Sequence, residues 1–187
     1  MKKTIYTTAL MLMAAVVLTS CGDELKKKET KPVERQVSVV YTINSTQDLI
    51  DAIDLVVTYK GKGGINVSDT ISDTVWTKTV VNDMIPVKIG LDWSLSPKTA
   101  SKISKDSLDL YASYSIVCKE AHDTLDHPQT LLSWREFPTS KLPQMCDLEN
   151  HKQAYARSQI NYISPCYTIS PESNGNGLKY DYADWDD

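Results

Sequence analysis

From residue 85 to residue 95 the chain sets Ile85, Val87, Ile89, Leu91, Trp93 and Leu95 in alternation with Pro86, Lys88, Gly90, Asp92 and Ser94. Successive strand side chains point to opposite faces, so six apolar positions at period two predict one strand with a buried and a wet face. The same alternation recurs at Val37, Val39, Tyr41 and Ile43, and at Leu108, Leu110, Ala112, Tyr114, Ile116 and Cys118. Residues 55–59 (LVVTY) form a shorter apolar run that stops at the turn sequence Gly61-Lys62-Gly63-Gly64. Residues 74–81 (TVWTKTVV) are β-branched enough to be a further strand. Between the first two strands, Ser45-Thr46-Gln47-Asp48 ahead of Leu49, Ile50 and Ile53 predicts one helical turn, closed by a Ser45–Asp48 capping box. Five strands in about eighty residues, with no long helix among them, predict a mainly β protein: a single antiparallel β-sandwich of the immunoglobulin-like kind.

The last third is patterned less clearly. Prolines at 128, 138 and 143 make 121–143 loop-like. Met145, Leu148, Tyr155 and Ala156 recur at helical spacing after Pro143, which predicts a short C-terminal helix over 144–159. Residues 160–169 (INYISPCYTI) return to the sheet as an edge strand, because Pro165 cannot donate to a central ladder. Residues 171–187 read as a flexible acidic tail.

The N-terminus follows a different pattern. Lys2 and Lys3 precede an apolar stretch over 9–18 of about ten residues, half of what a spanning helix needs. Leu18-Thr19-Ser20-Cys21 resembles a lipobox, the sequence cut by lipoprotein signal peptidase ahead of a lipid-modified cysteine. Residues 1–20 are then a lipoprotein signal peptide, and Cys21 the diacylglycerol- and palmitate-bearing first residue of the mature chain. Two or more acyl chains hold a protein firmly at a bilayer, so the implied partner is the membrane. Residues 22–36 (GDELKKKETKPVERQ) lack large apolar side chains and predict, with Cys21, a disordered tether over 21–36, leaving 37–170 for the sandwich. Cleavage removes two of the 20 basic residues and none of the 24 acidic ones, lowering the formal charge from −4 to about −6. An acidic chain without a basic patch is not a nucleic-acid binder.

The stretches DLIDAIDLVVTYKGKGG, Trp76-Thr77-Lys78 and IPVKIGLDWSLSPK, together with the lipobox, resemble small Bacteroidetes-type lipoproteins with immunoglobulin-like or transthyretin-like sandwiches. The resemblance implies fold and an outer-membrane location, and carries over no catalytic or binding residue. Gly22 rather than Asp after Cys21, and Asp23-Glu24, resemble the sorting signals that send such lipoproteins to the outer membrane and on to the cell surface rather than leaving them facing the periplasm. Four tripeptides, Asp69-Thr70-Ile71, Asp73-Thr74-Val75, Asp106-Ser107-Leu108 and Asp123-Thr124-Leu125, match the O-glycan acceptor pattern of that phylum. Thr70, Thr74, Ser107 and Thr124 are thus candidate O-glycosylation sites. The plain alternative is turn chemistry, since Asp and Thr favour strand ends.

Candidate chemistry is sparse. His122, Asp123, Asp126 and His127, with remote His151, are metal-ligand residue types, but their spacing fits no tetrahedral site and a solvated loop explains them. The tail aspartates Asp181, Asp184, Asp186 and Asp187 lack the glycine-centred turn of a calcium loop. Cys146 with His151, or Cys166, would need a base within hydrogen-bond reach to act as a nucleophile, and no known nucleophile motif is present. No cofactor and no enzyme activity are expected. Trp134 and Phe137, within LLSWREF, offer an aromatic binding surface for a glycan or protein partner; the competing reading folds both over an open end of the sandwich. Beside Cys21 stand three cysteines, for which we expect Cys118 buried and free and Cys146 bridged to Cys166. The reading adopted is a non-catalytic envelope module for display, binding or assembly. Its alternatives are a structural coat lipoprotein without a ligand and a metal-dependent hydrolase.

Overall fold

The computed structural model describes residues 31–98, 103–120, 129–158, 165–174 and 176–185. Two antiparallel sheets face each other. The first has the order β4-β1-β6-β7, from β1 (Val33–Ser45), β4 (Val75–Ile85), β6 (Ser107–Cys118) and β7 (Gln129–Pro138). The second has the order β3-β2-β5-β8-β9, from β2 (Ile53–Lys60), β3 (Asn66–Ile71), β5 (Val87–Pro97), β8 (Cys166–Pro171) and β9 (Leu178–Tyr182). Helix α1 (Gln47–Ala52) links β1 to β2, and α2 (Leu142–Ser158) follows β7. This is the mainly β, antiparallel sandwich with a short C-terminal helix that the alternation predicts. The alternating residues Val37, Val39, Tyr41 and Ile43 of β1 are buried, as are Leu55, Val57 and Tyr59 of β2 and Leu108, Leu110, Ala112 and Ile116 of β6. Each of the Val, Leu and Ile side chains among them contributes roughly 1.5–3 kcal/mol when taken out of water, so the filling between the sheets dominates the stability.

Several expectations are corrected. Residues 85–95 are not one strand: Ile85 ends β4 opposite Val33, and Val87 starts β5 in the other sheet, with the chain crossing at the cis Ile85–Pro86 bond. Both neighbours of Pro86 face the core, so the alternation passes through the crossing unbroken. The first strand begins at Val33 rather than Val37. Its polar start is held by pairing of Val33 and Glu34 with Ile85 and Met84, and by Arg35 donating to the Gly177 carbonyl at 2.9 Å. Residues 33–36 therefore belong to the sandwich, not to a tether. Ser45 forms no capping box: the N-cap is Thr46, whose hydroxyl donates to the Asp109 carbonyl at 2.7 Å. Strand β8 is not an edge, because Pro165 lies just before it and β9 pairs along its outer side.

The acidic tail is part of the fold. Strand β9 completes the second sheet, and Trp185 is 3 % exposed. Its ring presses on Gly90, where an added Cβ would fall 2.6 Å from Trp185 Cζ3. The buried ammonium of Lys60 donates to the Trp185 carbonyl at 2.7 Å and lies 4.7 Å from the ring centre, while Lys88 donates to the Asp184 carbonyl at 3.0 Å. Polar residues hid this segment because its anchors are backbone carbonyls and one aromatic ring.

The expected disulfide is not formed: Cys118, Cys146 and Cys166 are all buried thiols outside any disulfide. Cys166 is opposite Gly90 in the ladder and so shares its face, beneath Asp184 and Trp185. Cys146 belongs to the core between the sheets. Two thiols on opposite sides of one sheet cannot reach each other.

Helix α2 also differs in its buried stripe. Leu142, Met145, Cys146 and Gln153 face inward, whereas Leu148 and Tyr155 are 48 % and 64 % exposed. The helix covers the stretch of β5 beyond Gly90, where β8 no longer pairs. Polar side chains on its inner side meet exposed strand backbone there, which displaces the apolar stripe expected from spacing. Among the described residues no helix is long and apolar enough to cross a membrane.

Candidate functional site

Strand β1 is 13 residues long, so its ends lie about 40 Å apart at the usual strand rise. Near its start are Arg35 with the Gly177 carbonyl, and the β4–β5 crossing. Near its end Ser45 N–H donates to the Thr74 carbonyl at 2.8 Å and Thr46 N–H to the Tyr111 carbonyl at 3.0 Å. Three hollows surround this second pole, along the beginning of β6 and the end of β7. One of about 400 Å³ is lined by Asp48, Asp51, Lys98, Ile103, Ser104, Lys105 and Leu108. A groove of about 710 Å³ is lined by Thr46, Asp109, Leu110, Tyr111, Ser133, Trp134, Arg135 and Glu136. A crevice of about 190 Å³ lies between Trp134 and Phe137 on β7 and Lys141, Gln144, Met145 and Leu148 at the start of α2.

Two bulges in β7 shape this pole. Leu108 and Leu110 of β6 stand opposite Phe137 and Trp134, so three steps on β7 answer two on β6; Ala112 and Ser113 stand opposite Leu132 and Thr130. Each extra residue twists the strand and shifts which side chains face inward. The first bulge holds Glu136 at φ 48°, in the left-handed region, and Glu136 N–H donates to Asp109 Oδ1 at 2.9 Å. As a result Trp134 and Phe137, three apart, both turn toward the core side beside buried Leu108 and Leu110. Their rings meet edge to face at 5.4 Å, half-buried, with the Lys152 ammonium 5.9 Å from the Trp134 ring centre. The two aromatics expected as a contact surface are mostly packing. The exposed aromatic of this pole is Tyr111, opposite Ser133 on the outer face. It is an exposed residue inside an apolar alternation, and that signal was available in the sequence.

The first hollow is built on an ion pair. Asp48 accepts from Lys105 and, at 3.0 Å, from Asp109 N–H. These hydrogen bonds hold the Asp48 carboxyl below the usual carboxylate range and raise Lys105 above the usual lysine value. Lys98, on the same hollow, reaches the Ile50 carbonyl and lies 4.0 Å from Asp54.

The remaining candidates are dispersed. His151 is exposed and bonds through Nδ1 with the Asp147 carbonyl of its own helix, whereas Cys146 is buried in the core. Burial pushes the Cys146 thiol up to about 11, which favours its protonated form near neutrality. His122, Asp123, Thr124, Asp126 and His127 lie outside the described residues, as does Cys21. Among the described residues no group of three metal-ligating side chains is assembled. Asp181 of β9 pairs with Lys179 at 2.7 Å. Of the candidate acceptor hydroxyls, Thr70 is exposed on edge strand β3, Ser107 is exposed at the first position of β6, and Thr74 is half-buried just before β4. Comparison with family models, with curated proteins and with solved structures finds no match for this chain.

Proposed function

We propose that this chain is a non-catalytic envelope lipoprotein, anchored to the outer membrane through Cys21 and displaying its sandwich to a glycan or protein partner. The observation that carries the reading is the polarity of the domain. The chain enters β1 at Val33, and the three hollows lie at the far end, about 40 Å away along the strand. Eleven residues separate Cys21 from Val33, and a coil of that length would reach roughly 20 Å. Such a link leaves the entry pole near the bilayer and the hollows facing away, at raised effective concentration toward neighbouring envelope components. A thiol held protonated at Cys146 and a histidine on the opposite side of its helix support display over catalysis. An outward orientation, toward the cell surface, follows from the Asp23-Glu24 resemblance and is part of the proposal.

The test is metabolic labelling with a fatty acid. Label should enter the wild-type chain and be absent from Cys21→Ser, which keeps its leader or is released. Protease treatment of intact cells should cleave the labelled protein. Equal labelling of both chains would overturn the anchor.

A further inference from the structure

We infer that the groove between Tyr111 and the β7 bulge binds a neutral, hydroxyl-rich saccharide; the inference rests on the display reading for its class of partner. The groove lies on the outer face of the first sheet and is open, about 710 Å³ in volume, within the range of small-ligand sites. Tyr111 is 40 % exposed and donates no hydrogen bond from its phenol among the described residues. Its ring offers a flat apolar surface with a polar rim, as the C–H face of a sugar requires. Beside it stand Ser133 and two planar charged groups, the Arg135 guanidinium and the Glu136 carboxylate, neither in an ion pair among the described residues. Planar forks of this kind pair with two neighbouring hydroxyls at once.

Charge narrows the class further. Arg135 stands against Asp109 and Glu136, so the lining carries a small negative balance that disfavours polyanions such as nucleic acid or acidic glycans. The sheet face leading away from Tyr111 is uncharged. Ser115 shares its side of β6, and across the ladders stand Thr42 and Asn44 of β1 and Thr77 of β4. In a chain with 24 % charged residues, such a face suits an extended neutral chain of hydroxyls. The groove is also fixed in shape. Glu136 is tied by its backbone to Asp109, and the Thr46 hydroxyl donates to the Asp109 carbonyl and accepts from Tyr111 N–H at 3.2 Å. A site that is ordered before binding loses less entropy on capture.

The experiment is amide NMR of the purified full chain titrated with hexasaccharides of glucose, mannose and N-acetylglucosamine, and with an oligogalacturonate as the anionic probe. At least one neutral hexasaccharide should shift the amides of Tyr111, Ser133, Arg135 and Glu136 at millimolar concentration. Tyr111→Ala should weaken that binding about tenfold or more with an unchanged melting temperature, and Arg135→Ala should weaken it as well. Absence of shifts with every neutral probe, a preference for the anionic probe, or equal affinity of Tyr111→Ala would each overturn the inference. Failure here with intact labelling of Cys21 leaves an anchored module for a protein partner, whereas loss of labelling alone strikes the anchor, so the two readings fail separately.

Discussion

The side-chain amide of Asn150 makes two hydrogen bonds to one residue, accepting from Leu95 N–H at 2.8 Å and donating to the Leu95 carbonyl at 2.7 Å. A helix side chain thereby takes the place of a neighbouring strand on β5. One turn further along α2, Gln153 donates to the buried carboxylate of Asp92 at 2.6 Å, securing the same seam. Asn150→Leu should cost about 2 kcal/mol, since it strands a donor and an acceptor of the strand backbone. Asn150→Asp, which accepts but cannot donate, should fall between wild type and Asn150→Leu. Urea unfolding of the three chains checks the order, and a neutral Asn150→Leu would show that water replaces the amide.

That relationship was invisible in the sequence because its signal is a polar residue on the buried side of a helix. What was legible were strands whose alternation survives intact, β1, β2 and β6, with their core residues. Strand β7 was lost for a specific reason. Its two bulges break period two at Leu131 and at the Arg135–Glu136 pair, so LLSWREF reads as irregular although it pairs along most of β6. Trp134 and Phe137 stand out in the sequence as large aromatics, but their direction depends on the bulge, which no spacing reveals. Strand β3 (NVSDTI) is an edge with few apolar positions, held to β2 by the backbone ladder and by polar contacts such as Thr58 with Ser68 at 2.8 Å.

Trp134→Ala should therefore act on stability. Removal of a half-buried ring packed on Phe137 should cost about 2–3 kcal/mol. Thermal and chemical unfolding measure that loss. A Trp134→Ala chain as stable as wild type would mean that the ring serves the groove it lines beside Tyr111 rather than the packing of the pole.

The terminal segment gives a sharper contrast. Trp185→Ala should destabilise the domain by about 3 kcal/mol although it lies beyond the end of β9. Gly90→Val, which drives a side chain into the Trp185 ring and the Pro165 carbonyl, should cost at least as much. Melting curves that match wild type would mean that the segment is not docked in solution.

Thiol chemistry checks the cysteine assignment. Cys118, Cys146 and Cys166 should all resist a thiol reagent in the native chain and all react once it is unfolded without reductant. A Cys146–Cys166 peptide in a non-reducing digest would contradict the placement of these residues on opposite sides of the second sheet.

The Asp48–Lys105 pair sets a pH window. Asp48 titrates below its unfolded value, so its contribution is present above the ordinary carboxylate range and lost as acid protonates it. Lys105 titrates above its unfolded value, so its share is present below the ordinary lysine range and lost in strong base. The difference in melting temperature between wild type and Asp48→Asn should be constant near neutrality and shrink toward zero in acid. A difference that persists below the carboxylate range would assign it to the Asp109 N–H contact alone.

The docking of Trp185 has a consequence for how the domain opens. Strand β8 carries β9 along its outer side, and the buried ammonium of Lys60, 4 % exposed, donates to the Trp185 carbonyl. Peeling this segment away would bare the outer side of β8 and open Lys60 to water. The segment therefore opens together with the second sheet rather than fraying ahead of it, and its amide hydrogens should exchange with solvent as slowly as those of the sheet it closes.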